Sequence, residues 1–198
     1  MLQTPSEIDS LLRLVDREVW IVTAAAGGKR GGLTATWVAQ ASIDRERPVI
    51  LAGLAPNHFT AQLVEEGQAF VAHLLAESQA GLAWEFAKDS GRHRDKLADL
   101  ATTETPAGSP ALNDCLAWFD CRVFARYDAG DRLFYWADVL AAERRVTGSP
   151  LREQAFIRSL TDDQRKLLGT QRDADAQIQR ELADSWRKKC GKNSSSKV

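Results

Sequence analysis

The sequence predicts a mainly β fold, an antiparallel β-barrel with flanking helices and a helical C-terminal extension. Three observations carry that reading. Six segments read as strands and few as helices, and the strands follow one another instead of alternating with helices, which favours an antiparallel barrel over a parallel sheet. Glycine-bearing turns fold strand onto strand at Gly27–Gly32 and at Asp128–Asp131. Beyond residue 150 the apolar spacing becomes helical.

Taken in order, Ser6 is placed to cap an opening helix from Ser6 to Val15, with Ile8, Leu11, Leu12 and Val15 on one face. Glu18 to Ala25, dense in β-branched residues, reads as the first strand. The run Gly27-Gly28-Lys29-Arg30-Gly31-Gly32 opens a strand and lacks the Gly-Lys-Ser/Thr ending of a P-loop, so it reads as a hairpin turn. Leu33 to Ile43 is the second strand, with Leu33, Ala35, Trp37, Ala39 and Ala41 on one face and Thr34, Thr36, Val38, Gln40 and Ser42 on the other. Val49 to Ala55 is a buried strand. A short helix follows, with Asn57 as its cap and Gly67 as its stop. Ala69 to Leu75 is a strand and Ser78 to Lys88 a helix, followed by a polar loop over 89–96 and a second loop from Thr102 to Pro110. Cys115 to Tyr127 and Arg132 to Ala142 are two long hairpin strands.

In the C-terminal segment, Thr161-x-x-Gln164 matches a capping box, and Leu167, Leu168, Gln171, Ala174, Ile178, Leu182 and Trp186 fall at helical spacing, with Gly169 as a break point. The expected organisation is a barrel domain over 1–150, a helical extension over 151–188 and a disordered tail over 189–198. The apolar stripe of the extension must pack on the barrel or on a partner chain.

With 198 residues, 44% hydrophobic and 27% charged, the chain has the balance of a globular domain able to bury a core. Its longest apolar runs, such as Val71 to Ala76, fall far short of the roughly 20 residues that span a bilayer, so no membrane role is expected. No signal peptide is visible, and a cytoplasmic location is the expectation. The three cysteines form no C-x-x-C pair and only three histidines are present, so no metal site is expected. Residues 1–150 carry 15 basic and 20 acidic side chains, and residues 151–198 carry 11 and 7. The basic end suits a solubilising terminus; nucleic acid is not an expected partner.

Three patterns could carry chemistry. Pro56-Asn57-His58-Phe59-Thr60 lies at a strand-to-helix junction, where unpaired N–H groups and the helix dipole favour a phosphate; Asn57, His58 and Thr60 could add donors. Simple helix capping would account for the same residues. The polar edge Thr34, Thr36, Gln40 and Ser42 could face water or the rim of a planar ligand. Arg92, His93, Arg94 and Lys96 suit an anion, and a solvated loop would serve equally well as their explanation. There is no Gly-x-Ser-x-Gly elbow, no His-Glu-x-x-His and no Gly-x-Gly-x-x-Gly, and no side chain is assigned a catalytic role.

Between Val15 and Ala142 the order of segments resembles the flavin reductase-like family with its FMN-binding split barrel. The resemblance rests on Gly31 to Ile43, Pro48 to Leu54, Asn57-His58-Phe59-Thr60, Gly67 to Leu75, Asp95-Lys96-Leu97, Gly108 to Leu112 and Ala117 to Val123. It implies that Thr34, Ala35, Thr36, Trp37 and Ser42 line the isoalloxazine ring, with Leu33 and Ala39 facing the core. It also implies that Asn57, His58 and Thr60 hold the phosphate, and that Arg92 and Lys96 lie near the cofactor. Trp37 is bulkier than the usual residue there, Leu97 replaces a common Phe, and the family's Gly-rich, aromatic closing segment is missing beyond Ala142.

The function implied is that of an NAD(P)H:flavin oxidoreductase that binds FMN, with FAD as the other candidate flavin and NADH or NADPH as co-substrate. Hydride would pass from nicotinamide to flavin, with an unidentified partner accepting the electrons. A homodimer is implied, and the C-terminal extension is expected to reach across to the second subunit. The alternative is a non-enzymatic flavin- or haem-binding module on the same barrel.

Overall fold

The structure, a computed structural model, describes residues 4–194, with side chains through residue 190. Helix α1 spans Pro5–Leu12 and is capped by Thr4, not Ser6. Thr4 Oγ1 accepts from the Glu7 N–H, and the Glu7 carboxylate accepts from the Thr4 N–H at 2.6 Å. Its expected apolar face, Ile8, Leu11, Leu12 and Val15, is exposed.

Strands β1 (Trp20–Ala26) and β2 (Lys29–Ala35) form a hairpin. Its turn is only Gly27-Gly28, with φ of 55° and 73°. Two successive left-handed residues match the twist of paired strands, and glycine adopts them without strain. Lys29 to Gly32, expected in the turn, therefore already belong to β2. The expected strand Leu33–Ile43 is divided as well. β2 ends at Ala35, Thr36 and Trp37 bend, and β3 (Val38–Gln40) pairs with β4 (Val49–Leu54).

That bend explains the barrel. Further along lie α2 (Phe59–Gly67), β5 (Ala69–Leu74), a 3₁₀ turn at Glu77–Gln79 and α3 (Ala80–Ala87). A two-stranded ribbon β6 (Thr102–Glu104) and β7 (Pro110–Leu112) occupies the region expected to be a loop. The long hairpin β8 (Ala117–Asp128) and β9 (Leu133–Arg144) comes next, then α4 (Glu153–Ser159) and α5 (Asp162–Ser194). The main sheet is wholly antiparallel in the order β2-β1-β5-β8-β9-β4-β3. β2 and β3 are thus its opposite edges, yet three Cα steps of about 3.8 Å join them. The edges must approach, so the sheet curls into a half-barrel. Register shifts in the β8–β9 pairing after Asp120 and Val123 supply bulges that let it bend.

Strand alternation then builds two cores. Val22 and Ala24 of β1 and Phe70 and Ala72 of β5 point into the barrel with Leu54, Leu63 and Tyr135. Ile21 and Val71, of opposite parity, point outward onto Phe86, Leu97, Leu112, Leu151 and Phe156. α3, β7 and α4 roof that outer face. Each fully buried side chain of this size contributes roughly 1.5–3 kcal/mol.

Helix α5 opens as its capping box predicts. The Thr161 N–H donates to Gln164 Oε1 at 2.9 Å and the Gln164 N–H to Thr161 Oγ1 at 3.3 Å. It runs unbroken through Gly169 and takes in residues 189–194; residues 195–198 lie outside the described part. The predicted stripe organises its packing only in part: Leu168, Gln171 and Trp186 are half-buried, while Leu167, Ala174, Ile178 and Leu182 are exposed. The helix lies along its own barrel through Gln171 and Trp186 of that stripe and through Asp175 and Gln179, which the stripe did not include, because polar groups at the barrel mouth pair with that face.

Candidate functional site

A cavity of about 580 Å³ opens between β2, the N-terminus of α2, the loop after α3 and helix α5. It brings together Thr34, Asn57, His58, Thr60, Arg92 and Lys96 from the sequence-derived set. Ala35, Thr36, Trp37 and Ser42 do not line it. Ala35 is buried, Thr36 and Trp37 form the bend that joins the sheet edges, and the Ser42 hydroxyl accepts from the Asp44 N–H at 3.0 Å in the following turn. The bend also resets the alternation: Leu33 packs on the core while lining the cavity, and Ala39 is exposed, not core-facing.

The floor is β2. A Cβ on Gly32 would meet Phe86 Cε1 at 2.6 Å, so only glycine lets the strand pass this close to α3. Thr34 Oγ1 donates to the Ala83 carbonyl at 2.6 Å. Its proton is committed, so it offers the cavity an acceptor. Lys96 is 6% exposed, and its Nζ donates to the Phe86 carbonyl at 2.7 Å and the Gly32 carbonyl at 3.1 Å. Desolvation lowers its pKa to about 8, with Asp89 opposing. Its neighbours explain the Asp95-Lys96-Leu97 element: Asp95 pairs with Arg30 at 3.0 Å, Lys96 turns inward, and Leu97 enters the outer core.

The anion-holding end of the cavity lies at the start of α2. His58, not Asn57, occupies the cap position, and no side chain caps the helix. The first N–H groups of α2 keep their positive potential toward the cavity. Thr60 is 2% exposed on the first turn. Arg92 Nη1 donates to the Asn57 carbonyl at 2.9 Å, tying the basic loop to this corner. Asn57 Nδ2 donates to Asp175 Oδ1 at 2.8 Å, and His58 Nε2 to Asp175 Oδ2 at 2.9 Å. A carboxylate from α5 therefore already sits in this donor set, which shows that it accepts an oxyanion. Asn57 Oδ1 is buried with no donor among the described residues, leaving a free acceptor at this corner.

Sequence reasoning missed Arg132, Gln171, Asp175 and Gln179, which complete the wall. Arg132 lies 4.8 Å over the Trp37 ring and donates to Gln179 Oε1 at 2.7 Å. Burial lowers its pKa, with Asp131 and Asp175 opposing. Trp37 stacks on Phe134 at 6.2 Å, so it supports the rim from outside. Of the basic cluster, Arg94 pairs with Glu85 at 2.9 Å. Together with Lys29, Arg30, Arg92 and His93 it lines an adjoining groove of about 630 Å³. His73 belongs to the core. Its Nδ1 donates to the Ile21 carbonyl at 3.0 Å and its Nε2 accepts from the Leu112 N–H at 2.9 Å, a neutral tautomer that burial maintains by lowering its pKa to about 4.

Among known proteins, the reductase component of 4-nitrophenol 4-monooxygenase/4-nitrocatechol 2-monooxygenase from Rhodococcus opacus is 34% identical over 133 residues, covering 67% of this chain and 68% of that protein. A putative diflavin flavoprotein A 6 of Nostoc sp. PCC 7120 is 37% identical over 120 residues, 60% of this chain and 21% of its own length. The chain spans about a fifth of the length of the diflavin flavoproteins it matches. In fold it is similar to a putative flavin reductase from Haemophilus somnus, with a TM-score of 0.67 at 20% identity over 76% of this chain and 94% of that one. The NADH:FAD oxidoreductase of Streptomyces globisporus gives a TM-score of 0.66 at 20% identity, over 77% and 91%. Residues 12–158 match the family described as flavin reductase like domain, and the chain belongs to that family.

Proposed function

We propose that this domain binds FMN in the cavity between β2 and α2 and acts as an NAD(P)H-dependent flavin reductase. The observation that carries this is the oxyanion-holding corner of Asn57 and His58 at the uncapped start of α2, beside a cavity of about 580 Å³. Asn57, His58 and Thr60 hold the phosphate, Thr34 offers an acceptor to a ring N–H, and Lys96 places a positive charge under the floor. When bound, the flavin supplies the hydride-accepting chemistry, so the protein needs to bind, orient and exclude water. The basic groove sharing Phe59, Gly91 and Arg92 with the cavity suits further phosphates, whether of the nicotinamide co-substrate or of FAD.

The test is the absorbance spectrum of the purified protein, FMN titration, and anaerobic addition of NADH and NADPH. Flavin bands that bleach with either nicotinamide are expected. Binding neither FMN nor FAD overturns the reading, flavin that stays oxidised makes the protein a carrier, and a Soret band assigns the barrel to haem.

A homodimer accompanies this reading. Its support is the exposed apolar surface of Leu11, Leu12, Leu14 and Val15 near α1 and of Phe124 and Leu140 on the β8–β9 arm. Light scattering of the full chain checks it. No described helix is long and apolar enough to cross a membrane. A reducing, cytoplasmic setting suits Cys115 and Cys121, buried thiols whose pKa values desolvation raises.

A further inference from the structure

Helix α5 meets the barrel through an unusual face. Among its half-buried positions, Gln164, Leu168, Gln171, Asp175, Gln179, Ala183 and Trp186 recur every three or four residues, and no described residue of the helix is buried. The centre of that face is polar. Gln171 Nε2 donates to the Lys88 carbonyl at 2.7 Å, Asp175 takes Asn57 and His58, and Gln179 accepts from Arg132. α4, one loop before it, is anchored differently, with Phe156 and Leu160 buried in the outer core.

We propose that Asp175 is a built-in surrogate for the flavin phosphate, and that α5 is a strap which must release it before a phosphorylated flavin binds. The inference rests on the phosphate site assigned above. Asn57 Nδ2 and His58 Nε2 cannot serve the carboxylate and a phosphate together. The two anions would also lie within a few ångströms of each other, where like charges repel. A phosphate carries close to two negative charges against one for Asp175, so it gains more from His58, Arg132 and the start of α2 and displaces the weaker anion. Release is cheap. The His58 and Asp175 side chains are 37% and 36% exposed, and a partly exposed pair contributes little to holding the helix. The strap can lift beyond Leu168, which packs on the outer core, while α4 stays in place. Riboflavin, which lacks the phosphate, leaves Asp175 in place. Asp175 therefore taxes FMN but not riboflavin, and it sets how strongly the site selects a phosphorylated flavin.

The full chain is titrated with FMN and with riboflavin in the wild type, Asp175→Ala and Asp175→Asn, and α5 is followed by hydrogen exchange. The expected result is about tenfold tighter FMN in Asp175→Ala, the order of one charge-assisted hydrogen bond. Riboflavin should be nearly unchanged and Asp175→Asn intermediate. In the wild type, FMN but not riboflavin should speed exchange over residues 171–186. A Gln171→Ala/Gln179→Ala variant, which leaves the phosphate donors intact, should tighten FMN about two- to threefold by loosening the strap. If wild type prefers FMN over riboflavin but Asp175→Ala binds FMN no better, the surrogate role is wrong and the phosphate site stands. Slower exchange of α5 on adding FMN would likewise overturn it, making the helix a lid that closes on flavin. If neither wild type nor Asp175→Ala distinguishes FMN from riboflavin, the phosphate site and the surrogate fall together.

Discussion

Lys96 makes a prediction in which stability and flavin binding move in opposite directions with pH. Its ammonium is buried, and its pKa is lowered to about 8 from 10.5. The unfolded chain keeps the ordinary value, so between pH 8 and 10.5 the unfolded state holds a proton that the folded state has lost. Stability from this group therefore rises with pH across that window. Near 1.4 kcal/mol per pH unit, the full swing is about 3 kcal/mol. Lys96→Met removes the titration and strands the carbonyls of Gly32 and Phe86, so its absolute stability mixes two effects; the pH slope isolates one. Urea unfolding at pH 7 and pH 10 should show wild type gaining about 2–3 kcal/mol relative to Lys96→Met. Flavin affinity has the opposite sign, because the cavity loses its cation as Lys96 deprotonates. From pH 7 to 9.5, FMN binding by wild type should weaken about tenfold, the scale of one charged hydrogen bond, while Lys96→Met should bind weakly at every pH. Equal pH slopes of stability in the two proteins would refute the buried-charge argument. A pH-independent FMN affinity in wild type would show that Lys96 does not face the ligand.

Further expectations follow from other parts of the molecule. His73 is neutral in the core with a pKa of about 4, so the unfolded chain takes up a proton first as pH falls below 6.5; about 3 kcal/mol of stability should vanish between pH 6.5 and 4, and His73→Gln, less stable at pH 7, should lose less over that range when followed by thermal unfolding. At Gly130, φ is 88° and a Cβ would meet Trp186 Cβ at 2.6 Å, so Gly130→Ala should loosen α5 and raise its hydrogen exchange while costing the barrel about 1 kcal/mol. In the basic groove, Lys29→Ala and His93→Ala should raise the KM for the nicotinamide substrate several-fold with little change in FMN affinity; steady-state kinetics against FMN titration separates the two.

The strands were legible because both faces of β1 and β5 are buried, and β-branched residues such as Val22 and Val71 mark such strands in the sequence. The bend at Thr36-Trp37 was not legible. Leu33 to Ile43 alternates without a proline or glycine, and only pairing with β4 at the far edge of the sheet reveals the break. That single error misplaced Thr36, Trp37 and Ser42 relative to the cavity. The corner at the start of α2 was legible because Asn57-His58-Phe59-Thr60 lies where a helix must begin, and helix starts leave N–H groups open whatever the sequence around them. Asn57 was read as the cap because Asn favours that position, but here its amide turns to Asp175. Nothing local to Asn57 announces a partner 118 residues away.

The same contrast accounts for the face on which the extension packs. An apolar stripe predicts a buried helix because burial usually outweighs the alternatives. On α5, Leu167 and Ile178 stay exposed while Gln171, Asp175 and Gln179 face the protein. Polar groups win a helix face when the surface opposite them already holds unmet donors, as the cap-less start of α2, His58 and Arg132 do. A surface of that kind favours polar and anionic partners over apolar ones. The packing of α5 is then conditional: it holds while the anion site is filled from within the chain and weakens when another anion fills it. The exposed Leu167 and Ile178 fit a helix that changes neighbours, since burying them against the barrel would hold the strap in one place.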